Sequence, residues 1–290
     1  MLSPELTVLV FGLLAAASWG AADFAGGLAS RRASSLVVVL ASQSLGIWVA
    51  AAAAVVRGEP PPTLADVGWG AIAGTGGAIA LVGFYRALAV GRVSTVAPIA
   101  GVIAAAVPVA AGAVLEGAPG VGQAVGIGLA LVAVVLVSGA AEEDHLPSER
   151  SRRESLALAV VGGVGFGLFY VFIHQVSADV VFWPLVASRV ASLTVVAVLV
   201  LATRPSFAGL RSALPLVAIA GALDVGGNAG FLLADQAGRL DVASVLSSLY
   251  PVATVVLAIL LLRERVGRQH ALGMAAAFAA IVLIAGGGAG

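Results

Sequence analysis

Three ionisable side chains stand apart in this sequence because each lies deep within a long apolar run: Asp23, Arg189 and Asp224. Charge is expensive to hold in hydrocarbon, so such a group is a functional candidate by default. Arg189 and Asp224 fall at similar depth in consecutive runs. They can form a structural ion pair, or a pair that parts when substrate or a proton arrives. Two carboxylates and one guanidinium leave one negative charge over, which can hold a proton or attract a cationic substrate. Proton coupling, if present, falls to Asp23 or Asp224, because no other acid lies deep in a run. Asp23 also has a plainer reading, as a helix-end carboxylate reaching interfacial water near Arg31 and Arg32.

Helical spacing groups further side chains with these three. Trp19 and Asp23 are four residues apart and share a face, as do Phe166, Tyr170 and His174. Asp224, Asn228 and Phe231 line one face of another run. Gln43, flanked by Ser42 and Ser44, lies at about the depth of Arg189. An aromatic stripe is ordinarily packing, but its coincidence with polar partners marks a pocket. The substrate-binding expectation is therefore Trp19, Asp23, Gln43, Phe166, Tyr170, Arg189, Asp224 and Asn228, with Tyr250 and Ser247 as weaker candidates. Asp235 and Gln236 end one run, and His174 and Gln175 end another.

The elements that must position these residues are apolar runs at 6–27, 35–56, 67–88, 95–115, 120–140, 155–175, 182–202, 214–235, 243–262 and 267–287. Each is long enough to cross a bilayer as a helix. Composition agrees: of 290 residues, 60% are hydrophobic and 10% charged, and mean hydropathy is +1.09. Too little polar surface remains to coat a soluble globule, and a disordered chain or nucleic-acid binder is set aside. No cysteine is present, which removes disulfides, thiolate nucleophiles and Cys-based metal sites. No GxxxxGK[ST] loop, HExxH pair or serine–base pairing is seen, so no ATP site, metal, cofactor or catalytic residue is expected. GGVGFG at 162–167 does not fit a dinucleotide loop. The first run lacks a basic leader and is not read as a cleavable signal.

A shift of 147 residues lays the chain on itself: Gly20 meets Gly167, Gly74 meets Gly221, Gly83-Phe84 meets Gly230-Phe231, Ala87 meets Ala234, Gly91-Arg92 meets Gly238-Arg239, Gly126 meets Gly273 and Gly139 meets Gly286. Glu116 and Glu264 are one residue out of register. Through the repeat Tyr170 corresponds to Asp23, and Arg189 approximately to Gln43. The expected organisation is a five-helix half at 1–140, a polar linker at 141–154 carrying His145, and a second half at 155–290. Five crossings per half invert the second half, the plan of secondary transporters with a midplane site. Arginines split twelve to two between the loops of the two faces. By the positive-inside rule the termini lie outside and the linker in the cytoplasm.

These features resemble the drug/metabolite transporter superfamily, EamA type, over nearly the whole chain. The resemblance rests on the two five-helix halves and Trp19-Gly20. It rests also on the fourth run ending Leu115-Glu116, on Tyr250-Pro251 leading to Leu262-Arg263-Glu264-Arg265, and on Gly273 in the last run. It implies an all-α membrane protein that exports or imports small metabolites. Many members have cytoplasmic termini, whereas the arginine count here places them outside. The expectation is a secondary, non-ATP exporter in the plasma membrane of a bacterium, acting by alternating access and open to proton coupling. A lipid scramblase or flippase and a non-transporting scaffold are the alternatives. The expected partners are a small-molecule substrate and the bilayer, with no nucleic acid. Runs five and ten carry few polar side chains and suit packing or homodimer contact. GxxxG pairs at Gly70/Gly74, Gly122/Gly126, Gly163/Gly167 and Gly226/Gly230 suit close helix approach, and Pro98, Pro108 and Pro251 are candidate bends.

Overall fold

The computed structural model describes residues 3–90, 93–138, 149–262 and 267–287. The linker centre with His145, Gly91-Arg92, Gly139 and residues 263–266 with Glu264 lie outside the described residues. So do the side chains of Phe84, Arg86, Pro98, Arg150, Arg152, Pro251 and His270. Among the described residues, regular structure is entirely helical. The first half holds α1 (Pro4–Ser30), α2 (Ser35–Arg57), α3 (Leu64–Val90), α4 (Val93–Leu115) and α5 (Val121–Ser138). The second holds α6 (Glu149–Ile173), α7 (Phe182–Thr203), α8 (Leu210–Ala237), α9 (Leu240–Ser247), α10 (Tyr250–Leu262) and α11 (Arg268–Gly287). α9 and α10 share one span, which makes ten. Six helices, α1, α2, α3, α6, α7 and α8, are long and apolar enough to cross a membrane individually.

One expectation changes. The run at 243–262 is not one helix: it starts at Leu240 and breaks at Ser248-Leu249. Proline has no amide hydrogen, so Pro251 cannot continue the hydrogen-bond ladder, and the chain restarts helically one residue before it. Within the 141–154 segment, the last six residues are helical. The straight-chain Glu and Arg residues there are good helix formers, so the helix starts ahead of the apolar run.

The two halves interleave. Among the described residues α1 lies chiefly against α8, α3 against α6 and α7, α2 against α7 and α8, α4 against α6 and α9, and α5 against α11. α1 also meets α10. Exchanging each helix with its counterpart maps this pattern onto itself. Neither half buries a core without the other. α8 is the most enclosed span, whereas Trp48 (75% exposed), Val56 and Leu260 point outward, as lipid-facing side chains do.

Glycine sets the closest approaches. A Cβ on Gly74 would strike the backbone of Ser188, and one on Gly70 the backbone of Pro184, so α3 and α7 touch main chain to main chain. Gly163 meets the Ala100 backbone in the same way, while a Cβ on Gly167 would strike the Val107 side chain of α4 and one on Gly126 the Ile284 side chain of α11. α5 and α11 thus spend one face on each other.

Candidate functional site

A cavity of about 1280 Å³ lies between the halves, walled by α1, α2, α3, α4, α6, α7 and α8, by Val134 of α5 and by the α9–α10 break with the start of α10. It reaches the face where α1 turns into α2, past Ser30, Ser34, Ser35 and Thr203, and ends at midspan near Trp19, Tyr170, Asn228 and Ser248. Pockets for drug-sized ligands measure roughly 300–1,000 Å³, so the volume holds a small organic solute with a vestibule to spare.

Trp19, Asp23, Gln43, Phe166, Tyr170, Arg189, Asp224 and Asn228 all lie on this wall. They do different jobs there. Arg189, 6% exposed, donates through Nη1 to Gln43 Oε1 at 2.6 Å and to Asp224 Oδ2. α2, α7 and α8 are thereby tied across the two halves. Arg189 Nη2 is buried with no partner among the described residues. The Asp224 side chain keeps 33% exposure, and Asn228 Nδ2 donates to the Asp224 carbonyl at 2.7 Å. Asp23 is exposed to the cavity and has no hydrogen-bond or ion-pair partner among the described residues. It lies within electrostatic reach of Asp224, Tyr170 and Tyr250. Arg31 and Arg32 do not pair with it; Arg32 Nη1 donates instead to the Ser212 carbonyl at 3.1 Å.

Aromatic rings floor the cavity. Trp19 meets Tyr170 edge-on at 5.8 Å and stacks on Phe231 at 6.3 Å, while Tyr170 and Phe231 are 4.6 Å apart. Phe231 is fully buried behind the wall, so it supports the site and does not face it. Gly20 makes this possible: it abuts Tyr250 and Ala253, and Thr254 Oγ1 donates to its carbonyl at 3.1 Å. The break at Ser248 thus brings Ser248, Tyr250 and Thr254 onto the wall beside α1. Ser188 and Ser192 join them from α7. Their spacing around Arg189 was the available signal.

The opposite face, where α1 starts and α11 ends, is sealed by polar contacts between the halves. Glu59, after α2, accepts backbone N–H groups of Val181, Phe182 and Trp183 at 3.0, 2.8 and 3.3 Å, covering the N-terminus of α7. Both Glu116 oxygens accept from Leu240 N–H at 3.1 Å, capping α9. Carboxylates suit these positive helix ends. Asp66 closes a capping box with Thr63 and accepts Ser177 N–H at 2.8 Å. His174 Nδ1 contacts Asp235 at 2.9 Å, and its Nε2 is 3.9 Å from Glu116. The hydrogen bond to Asp235 holds the imidazole pKa above its ordinary 6.5. The Thr63-to-Asp66 spacing is legible as a cap, but the partners across the halves are not. Among the described residues no group of three His, Asp or Glu is arranged to hold a metal.

The EamA-like transporter family model matches residues 6–139 and again 153–286. The chain belongs to the EamA-like transporter family. It is therefore a multi-pass membrane protein of a transporter family, built of two repeats whose matched segments start 147 residues apart. Among solved structures, one described only as the crystal structure of a protein is similar over 95% of both chains, with 17% identity and a TM-score of 0.78. That likeness concerns the fold. No curated protein matches the chain.

Proposed function

We propose that this EamA protein is a secondary transporter of small organic solutes that works by alternating access between two inverted halves. The observation that carries this reading is the pairing of a midspan cavity open to one face with a seal of polar contacts across the halves at the other. A channel needs no such seal, and a scaffold needs no such cavity. The exchange-symmetric packing supports it, because halves of like structure can form two open states of similar energy. With the arginine-rich loops in the cytoplasm, the open face is the inner one and the conformation suits loading of an exported solute. Asp23 and Asp224 are the acids available to couple transport to protons.

The test uses the cysteine-free chain in proteoliposomes. Cysteines at Glu59 and Phe182, joined by a short cleavable thiol cross-linker, should stop solute flux, and cleavage should restore it. Undiminished flux with the face locked would refute alternating access. Flux of head-group-labelled lipid with none of soluble solutes would favour a scramblase. A cysteine in the 141–154 linker should resist an impermeant thiol reagent in intact cells; ready labelling there reverses the orientation. Under proton coupling, Asp→Asn at position 23 or 224 should abolish uphill transport while sparing exchange. Full uphill transport in both variants removes the proton.

A further inference from the structure

We propose that the cavity selects an organic monocation with an aromatic or aliphatic body, and that Asp23, not Asp224, is the anion that selects it. The biological use of such selection rests on the transporter reading above; the binding itself does not.

Three charged side chains line the cavity among the described residues: Asp23, Asp224 and Arg189. Arg189 is committed. It is buried, bonded to Asp224 and held from the other side by Gln43. That arrangement pairs Asp224, and the one guanidinium nitrogen without a partner, Nη2, is buried. Asp23 remains as a cavity-lining carboxylate with no hydrogen-bond or ion-pair partner among the described residues. An anionic ligand would meet Asp23 and find no free counter-charge. A neutral ligand would strip water from that carboxylate and return at most an uncharged hydrogen bond, weaker than a charge-assisted one.

The surroundings of Asp23 specify the rest of the ligand. Trp19 lies one helical turn away on the same face, and Tyr170 and Tyr250 are within electrostatic reach. The negative faces of aromatic rings attract an organic cation and accept its apolar body. Phe166, Phe169 and Leu81 extend that apolar wall. A small hydrated metal ion would gain nothing from such surroundings and would find too few oxygen ligands. The combination of a lone carboxylate with an aromatic floor in a cavity of about 1280 Å³ fits an amine or quaternary ammonium on an apolar frame.

Calorimetry on the purified full chain in nanodiscs at neutral pH tests this with phenethylammonium, 2-phenylethanol and phenylacetate. These three water-soluble probes share a body and differ in head-group charge. Phenethylammonium should bind at least about tenfold more tightly than either other probe. Asp23→Asn should reduce its affinity to that of the alcohol, Asp23→Glu should retain the preference, and Glu5→Gln, an exposed acid outside the cavity, should leave it unchanged. Equal binding of the three probes to the unmodified chain, or no binding of the cation, overturns the inference without recourse to any variant. So does loss of preference in Asp224→Asn with retention in Asp23→Asn, each variant's helix content being checked by circular dichroism. Charge-selective binding without phenethylammonium flux in liposomes would refute the transporter reading alone. Flux of neutral or anionic solutes with equal binding of the three probes would refute this inference alone.

Discussion

Replacing either partner of the Arg189–Asp224 pair should destabilise the protein, and unequally. The two side chains differ in burial: 8% of Arg189 is exposed against 33% of Asp224. Asp224→Asn strands a guanidinium that water can barely reach, with Gln43 as its remaining strong acceptor. Breaking a buried pair in this way costs about 3–5 kcal/mol. Arg189→Gln strands a carboxylate that is one-third open to the cavity and still has Asn228 beside it. Hydration through the cavity should hold that loss to about 1–2 kcal/mol. The double variant carries no charge and should recover about 2 kcal/mol relative to the sum of the singles. The assay is thermal unfolding of the purified chain, where Asp224→Asn should lower Tm by about 6 °C or more. Equal losses, a greater loss for Arg189→Gln, or additive losses in the double variant would refute the assignment of the buried charge to Arg189.

The remaining predictions concern the sealed face and the helix contacts. His174 has its pKa raised by Asp235, so its contribution to stability is complete below about pH 6.5 and is lost as pH rises through the elevated folded value. Unfolding measured from pH 5.5 to 9 should show this fall, and His174→Gln should flatten it. Glu116→Ala removes the cap on Leu240 and should cost about 1 kcal/mol, seen as faster amide hydrogen exchange at residues 240–242. Gly74→Ala drives a methyl into the Ser188 backbone and should cost about 1–3 kcal/mol. Gly76→Ala faces open space and should be neutral or slightly stabilising in the same unfolding assay.

The positions of the spans are legible in the sequence because a bilayer imposes a linear length on each apolar run. Asp23, Arg189 and Asp224 stand out for the same reason: a charge is conspicuous against hydrocarbon without knowledge of its neighbours. The repeat is legible because a constant offset of 147 residues needs no third dimension, and the matched family segments carry the same offset. Local rules go less far at the ninth span. Apolarity runs unbroken from 243 to 262, and Pro251 is a candidate bend, but the stop at Ser248 and its place on the cavity wall depend on the packing of α1 against α10.

What tertiary structure alone decided is partnership. Gln43 and Arg189 are 146 residues apart, and nothing local says that the amide would hold the guanidinium against Asp224 and leave Asp23 the free acid. Glu59, Asp66 and Glu116 read as ordinary interfacial carboxylates until the interleaved halves bring them to backbone N–H groups of the second half. The repeat offers no substitute, since Glu59 and Asp66 correspond to Ser206 and Ala213, so the two faces are chemically unlike. Hydropathy and spacing constrain each helix along its own axis. Which face is sealed, and which charge is left unpaired, depend on distances between helices far apart in the chain, and close packing across the halves sets those distances.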